Sequence, residues 1–267
     1  MTRRHIAFPC EGETCIGTLD CARGPVGLLI VTGGNETRAG AFGSLARLAL
    51  AIAAAGYPVF RFDRRGVGDS TGSNHGFRSC GPDMDAALTA FRDSSPGLRR
   101  VVGFGNCDAA SALMLRGGTG CDALALANPW TFDEEADGDA MTPAAVRSRY
   151  AAKLRDPAQL LRLVTGRVAL GKLARGVATA IGPAQASTSL SEDMLGAMAS
   201  FTGEARYLIA GKDRTGLAFA ERWRSTGERI STEPDADHGF SSEGSFAWLV
   251  NQLIDILDKQ TRQLDVR

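Results

Sequence analysis

Apolar positions along the chain alternate between two rhythms. An unbroken apolar run of strand length occurs at Val26-Gly-Leu-Leu-Ile-Val-Thr, which predicts a strand covered on both faces, and further strand patterns occur at Pro58-Val-Phe-Arg-Phe-Asp and Cys121-Asp-Ala-Leu-Ala-Leu-Ala. Shorter strand patterns fall at Val101-Val102, Tyr207-Leu-Ile-Ala and Glu228-Arg-Ile-Ser-Thr. Between them, apolar residues recur at helical spacing from Ala41 to Gly56, from about Pro82 to Arg92, from Leu217 to Ser225 and from Ser245 to Lys259. The last of these carries Phe246, Leu249, Val250, Leu253, Ile254 and Leu257 on one side, as an amphipathic helix does. Gly56 reads as a C-cap. At the start, the segment from His5 to Asp20 reads as two strands about a Glu11-Gly12 turn, a hairpin. Strands and helices alternating after a hairpin predict a mostly parallel sheet with helices on both faces.

Between Trp130 and the Tyr207 strand the rhythm breaks. This stretch opens acidic at Asp133, Glu134, Glu135, Asp137 and Asp139 and continues in Leu/Arg/Ala-rich helical segments with no strand pattern. It is far longer than an ordinary connection. The expected organisation is therefore a core formed by residues 1–130 and 203–267, interrupted by an insertion over 131–202.

Composition narrows the function classes. Lys plus Arg and Asp plus Glu number 30 each in 267 residues, so no net field draws the chain to nucleic acid or to an anionic membrane. No basic, then apolar, leader opens the sequence, and no apolar run approaches the roughly 20 residues of a membrane span. The expectation is a cytoplasmic protein with no membrane span and no nucleic-acid partner. Six cysteines occur with no C-x-x-C pair and only three histidines, which predicts reduced thiols, no metal site and no cofactor.

The most informative stretch is Val101-Val-Gly-Phe-Gly-Asn-Cys107-Asp-Ala-Ala-Ser111. A strand runs into a tight turn, a reactive side chain and a helix, the layout of a nucleophile elbow. The turn needs small residues two before and two after the nucleophile, and Gly105 and Ala109 stand there. At a helix N-terminus the dipole favours an anion, here a thiolate. The plainer reading is a buried structural cysteine in a core strand. Gly33-Asn35, Cys107, Asp213 and His238 all fall just beyond strand ends, the edge at which parallel sheets place their sites.

In chain order, Cys107, Asp213 and His238 reproduce the nucleophile–acid–histidine sequence of α/β-hydrolases. The chain resembles that superfamily over its whole length. Gly66-x-Gly68-x-Ser70 after Asp63-Arg64-Arg65 is similar to its D-x-R-G-x-G-x-S segment, Gly211-Lys212-Asp213 to the strand-end acid, and Asp237-His238-Gly239-Phe240 to the histidine loop. More narrowly, Thr32-Gly-Gly-Asn-Glu-Thr-Arg38 and Cys107-Asp-Ala-Ala-Ser111 resemble hydrolases encoded beside exosortase A systems of polysaccharide-producing bacteria.

The resemblance implies an α/β-hydrolase fold with a mostly parallel eight-stranded sheet and a helical cap formed by the insertion. His238 would act as general base and then acid, oriented by Asp213. Asp213 also has the plainer reading of a helix N-cap, and Asp133 or Glu134 is an alternative acid. Backbone N–H groups of Asp108 and of Gly34 or Asn35 would form the oxyanion hole, although Thr-Gly-Gly-Asn replaces the usual His-Gly loop. The Arg64-Arg65 pair would pin its loop, Asp235 and Asp237 would be solvated turn residues, and Trp130 would line the substrate pocket or join the core. A cysteine nucleophile favours activated acyl groups, because thioester exchange at sulfur is close to thermoneutral. The expected partner is a small acyl ester or thioester, free or carried by CoA or an acyl-carrier protein. Hydrolysis, acyl transfer to an alcohol or amine, and a non-catalytic binding scaffold remain as readings of the sequence.

Overall fold

In a computed structural model of the protein, residues 2–132, 189–223 and 229–265 are described. The hairpin pairs β1 (Arg3–Cys10) with β2 (Glu13–Asp20). Its turn has positive φ at both residues, 48° at Glu11 and 85° at Gly12, the backbone twist that suits two-residue hairpins. Six strands follow: β3 (Val26–Ile30), β4 (Val59–Phe62), β5 (Arg100–Asn106), β6 (Ala123–Ala127), β7 (Glu204–Ala210) and β8 (Arg229–Glu233). Together they form one eight-stranded sheet in the order β1-β2-β4-β3-β5-β6-β7-β8. β2 runs antiparallel to both β1 and β4. All other pairings are parallel, as the alternating pattern predicts.

Helices α1 (Ser44–Ala54) and α6 (Glu243–Asp265) cover one face, and α2 (Gly81–Ser94), α3 (Asp108–Leu115) and α5 (Arg214–Trp223) cover the other. Val26, Leu28 and Ile30 of β3 point toward α1 and α6, against Leu48, Ile52, Leu253 and Leu257. The alternate residue Leu29 joins Phe60, Phe91 and Leu113 on the opposite side. A strand that feeds two cores has no polar face, which is why this run reads as continuously apolar.

Several helix boundaries differ from the pattern, and α5 for one begins at Arg214 rather than Leu217. The helix expected from Ala41 begins at Ser44, after a 3₁₀ turn over Ala41–Gly43 in which Phe42 has φ 52°. Glycines with positive φ at 40 and 43 turn the chain on either side of Phe42, so apolar spacing alone does not reveal the break. At the other end of the chain, α6 continues past Lys259 to Asp265. Arg100 donates to Gln260 Oε1 at 2.6 Å and also to Gln263, anchoring a segment that looks like a solvated tail.

Most of the expected insertion lies outside the described residues. Its last part forms α4 (Ser189–Met198), which packs on α3 with Leu190 and Met194 buried. Among the described residues no helix is long and apolar enough to cross a membrane.

Candidate active site

β5 ends at Asn106 and α3 begins at Asp108, so Cys107 alone makes the turn between them. It does so at φ 61° and ψ −126°, a conformation that a residue with a β-carbon holds only when its surroundings impose it. Three main-chain bonds do so. Its N–H donates to the Ala127 carbonyl at 2.9 Å, and its carbonyl accepts from Ser111 at 3.2 Å and Trp130 at 3.3 Å. A β-carbon at Gly105 would lie 2.7 Å from the backbone of Ala109 and Ala110. The small-residue spacing in the sequence is thus a requirement of close strand–helix approach.

His238 Nδ1 lies 3.1 Å from Asp213 Oδ2. The same Oδ2 accepts the Gly216 N–H at 2.8 Å and caps α5. The two readings of Asp213, N-cap and histidine partner, are met by one buried carboxylate. The imidazole and Cys107 line the same cavity. The pKa of His238 is pushed up to about 10, first by the hydrogen bond to Asp213 and next by Cys107, against the opposing effect of burial. Asp133 and Glu134 lie outside the described residues.

Two asparagines missing from the sequence reading position the histidine loop. Asn128, fully buried with φ 42°, accepts the Ala210 N–H at 2.8 Å. Its amide group donates to Asn106 Oδ1 at 3.1 Å and to the His238 carbonyl at 3.3 Å, and Asn106 donates to that carbonyl at 3.0 Å. The ends of β5, β6 and β7 are thereby tied to His238. The available signal was an Asn closing two successive apolar strands, one just before Cys107 and one before Pro129. Asn128→Ala leaves the buried Ala210 N–H without its acceptor, which costs about 1–3 kcal/mol. A lower urea midpoint, with weaker activity in the fraction still folded, is the expected result.

Asp237 also has a more specific place than a solvated turn. Its carboxylate accepts the Ser241 N–H at 2.8 Å and the Ser241 hydroxyl. These bonds hold its pKa below the usual carboxylate range, and they fold the loop after His238. Asp235 is exposed and pairs with Lys212 at 3.0 Å.

The loop after β3 is clamped from several sides. The Arg38 guanidinium donates to buried Asp63 and, at 2.7 Å, to Asp69. A β-carbon at Gly68 would lie 2.3 Å from Asp63 Oδ2, which accounts for glycine in the Gly66-x-Gly68-x-Ser70 segment. Arg64 reaches across to the Gly34 carbonyl, and Asn74 donates to the same oxygen at 3.2 Å. Arg64 thus holds the neighbouring loop. Arg65 joins α2 through Asp83 at 2.9 Å and the hairpin turn through Glu11. Of the oxyanion candidates, Asp108 is the first residue of α3, where an N–H has no intrahelical acceptor. The Gly34 N–H donates to the Asp108 carboxylate at 2.8 Å.

A cavity of about 960 Å³ opens beyond the strand ends. Gly33, Gly34, Cys107, Asp108 and His238 line it together with apolar side chains that include Phe42, Leu45, Phe77, Phe104, Trp130 and Phe246. Trp130 lines the cavity, as one of its two readings expects, and donates its indole N–H to the Phe132 carbonyl at 2.7 Å. A polar cleft of about 470 Å³, lined by Arg100 and Glu204 at the starts of β5 and β7, holds none of these residues. Elsewhere, Cys10, Cys15 and Asp83 bring potential metal-ligand atoms within 4.8 Å of one another. Asp83 is already ion-paired with Arg65, and burial pushes the Cys15 thiol up to about 12. Protonated thiols beside a guanidinium make a poor cation site.

The eight-stranded, mostly parallel sheet, with a strand–turn–helix bend at Cys107 and a histidine and an acid beyond later strand ends, has the architecture of a class that sequence comparison identifies. The alpha/beta hydrolase family model matches residues 28–249, and the chain belongs to that family. Among curated proteins no sequence relative matches. Solved structures with the same fold include the Pyrococcus furiosus esterase Pf2001, at 13% identity and TM-score 0.62 over 97% of this chain and 91% of that one. The alpha/beta hydrolase GrgF from Penicillium sp. sh18 is similar at 16% identity and TM-score 0.63, over 98% and 100%. A thioesterase domain from the curacin biosynthetic pathway is similar at 14% identity and TM-score 0.58, over 96% and 100%.

Proposed function

We propose that the protein is an acyl ester or thioester hydrolase working through Cys107, His238 and Asp213. The observation that carries this reading is that Cys107 and His238 line one largely apolar cavity while His238 Nδ1 lies 3.1 Å from Asp213 Oδ2. In the acylation step Cys107 Sγ bonds to the acyl carbon and the thiol proton passes to His238. The tetrahedral intermediate collapses with loss of the alcohol or thiol, which takes that proton from the imidazolium. Water, deprotonated by His238, then attacks the acyl-cysteine and releases the acid. Asp213 stabilises the imidazolium in both halves without accepting its proton.

The family and its esterase and thioesterase look-alikes support hydrolytic acyl chemistry. The Thr32–Arg38 and Cys107–Ser111 segments, which resemble exosortase A-associated hydrolases, both contribute to the cavity lining. We therefore assign the setting to bacterial exopolysaccharide metabolism, with a small or carrier-bound acyl substrate.

Intact-protein mass after incubation with a panel of acyl thioesters tests the reading. One acyl group should add at Cys107 and disappear as free acid forms. Diversion of that acyl group to an added alcohol or amine would make the protein a transferase on the same intermediate. Adducts spread over the six thiols, or none at all, would sink the acyl-cysteine mechanism.

A further inference from the structure

The residue after the nucleophile carries a charge where this chemistry develops one. Asp108 Oδ2 accepts the Gly34 N–H at 2.8 Å, and a β-carbon at Gly33 would lie 2.1 Å from Asp108 Oδ1. The carboxylate therefore lies along the Gly33-Gly34 backbone, in space open only because residue 33 has no side chain. Among the described residues no Lys or Arg pairs with Asp108 within ion-pair distance. The Gly34 N–H is its one described polar partner. On the reading of Cys107 as acyl acceptor, this N–H is a donor meant for the substrate oxygen.

We propose that the Asp108 carboxylate is a competing occupant of the oxyanion hole, which an acyl oxygen must displace before Cys107 can be acylated. A carboxylate is a stronger acceptor than a neutral ester or thioester carbonyl. The ground-state carbonyl therefore gains little from Gly34, whereas the charged tetrahedral oxygen competes for it. The donor changes hands as charge develops, and Asp108 tunes acylation through the oxyanion site. The loop does not depend on Asp108 for its position, because Arg64 and Asn74 hold the Gly34 carbonyl from the other side.

Two reagents separate this effect from general thiol reactivity. p-Nitrophenyl butyrate acylates sulfur through a tetrahedral oxyanion: the S–C bond forms, p-nitrophenolate leaves, and the thiol proton goes to His238. Iodoacetamide alkylates the same sulfur by direct displacement of iodide and needs no oxyanion hole. Removing the negative charge beside Cys107 acts on the sulfur's reactivity toward both reagents alike, so the quantity of interest is the ratio of their rates.

One oxyanion donor is worth about 10²–10³-fold. With the Asp108 backbone N–H retained, we expect the acylation-to-alkylation ratio to rise at least about tenfold in Asp108→Ala. It should rise less in Asp108→Asn, whose amide oxygen still accepts the Gly34 N–H but carries no charge. A ratio unchanged or lowered in Asp108→Ala, with both reagents still landing on Cys107, overturns the proposal and makes Asp108 a support of the hole. If neither reagent modifies Cys107 in folded wild-type protein, the acyl-cysteine reading itself falls and takes the proposal with it.

Discussion

Replacing Cys107 by alanine is expected to bring acyl turnover down to the level of the folded scaffold alone, a fall of about 10⁴-fold or more. The fold should survive, because the three bonds that fix residue 107 are main-chain bonds and alanine keeps them. Cys107→Ser is the sharper comparison. Asp213 and Cys107 together favour the protonated imidazole of His238. A thiol can give its proton to that imidazole and persist as a thiolate, whereas a serine hydroxyl loses its proton only in the transition state. Serine at 107 should therefore recover no more than about 1% of wild-type turnover near neutral pH, where thiolate nucleophilicity gives cysteine its advantage. Steady-state hydrolysis of a butyryl thioester, with circular dichroism to confirm folding, checks both variants. Alanine retaining a tenth or more of wild-type turnover would move the chemistry away from this sulfur.

Parts of this site were legible because they are local. The elbow is written in Gly105, Cys107 and Ala109, since a β-carbon at 105 would strike the backbone of Ala109 and Ala110 in the first turn of α3. The β3 core strand is written in its unbroken apolar run, because both of its faces are covered. The hairpin is written in Glu11-Gly12, a pair that both adopt positive φ.

Other features depend on residues far apart in the sequence. Asn128 was visible only as the last residue of a strand, while its role comes from meeting Ala210, Asn106 and His238. Gly34 reads as an oxyanion donor from its loop, yet its N–H is taken by a carboxylate 74 positions away. Asp213 posed a choice between cap and histidine partner, and one oxygen serves both. The break at Phe42 was hidden because the turn resides in flanking glycines rather than in hydrophobic spacing. Patterns that a strand or helix imposes on its own residues were readable. Contacts created by folding the sheet were readable only where the family resemblance supplied them, as for Asp213 and His238.

Asp213→Asn is expected to lower acyl turnover by about 10²–10⁴-fold, the upper figure being the cost of the same change in a serine triad. The hydrogen bond to Asp213 is the first cause of the raised His238 pKa. Without that charge the imidazole loses the largest cause of its raised pKa and moves back toward the ordinary 6.5 of histidine. Cys107 then loses its cationic neighbour, and its alkylation by iodoacetamide at pH 7 should slow.

Stability should carry the same signature. His238 is raised from 6.5 to about 10 in the folded protein, so folding favours its protonated form. That contribution is fully present below pH 6.5 and is lost as the pH rises through about 10. Wild-type Tm should consequently fall between these pH values by more than the Tm of Asp213→Asn, which lacks the charge that holds the proton. His238 is partly exposed, and solvent screening keeps the difference modest. Parallel pH dependences of Tm in the two proteins, together with equal alkylation rates at pH 7, would show that Asp213 caps α5 without acting on the imidazole. The cap alone can produce neither change, since its bond to the Gly216 N–H does not involve the proton on His238.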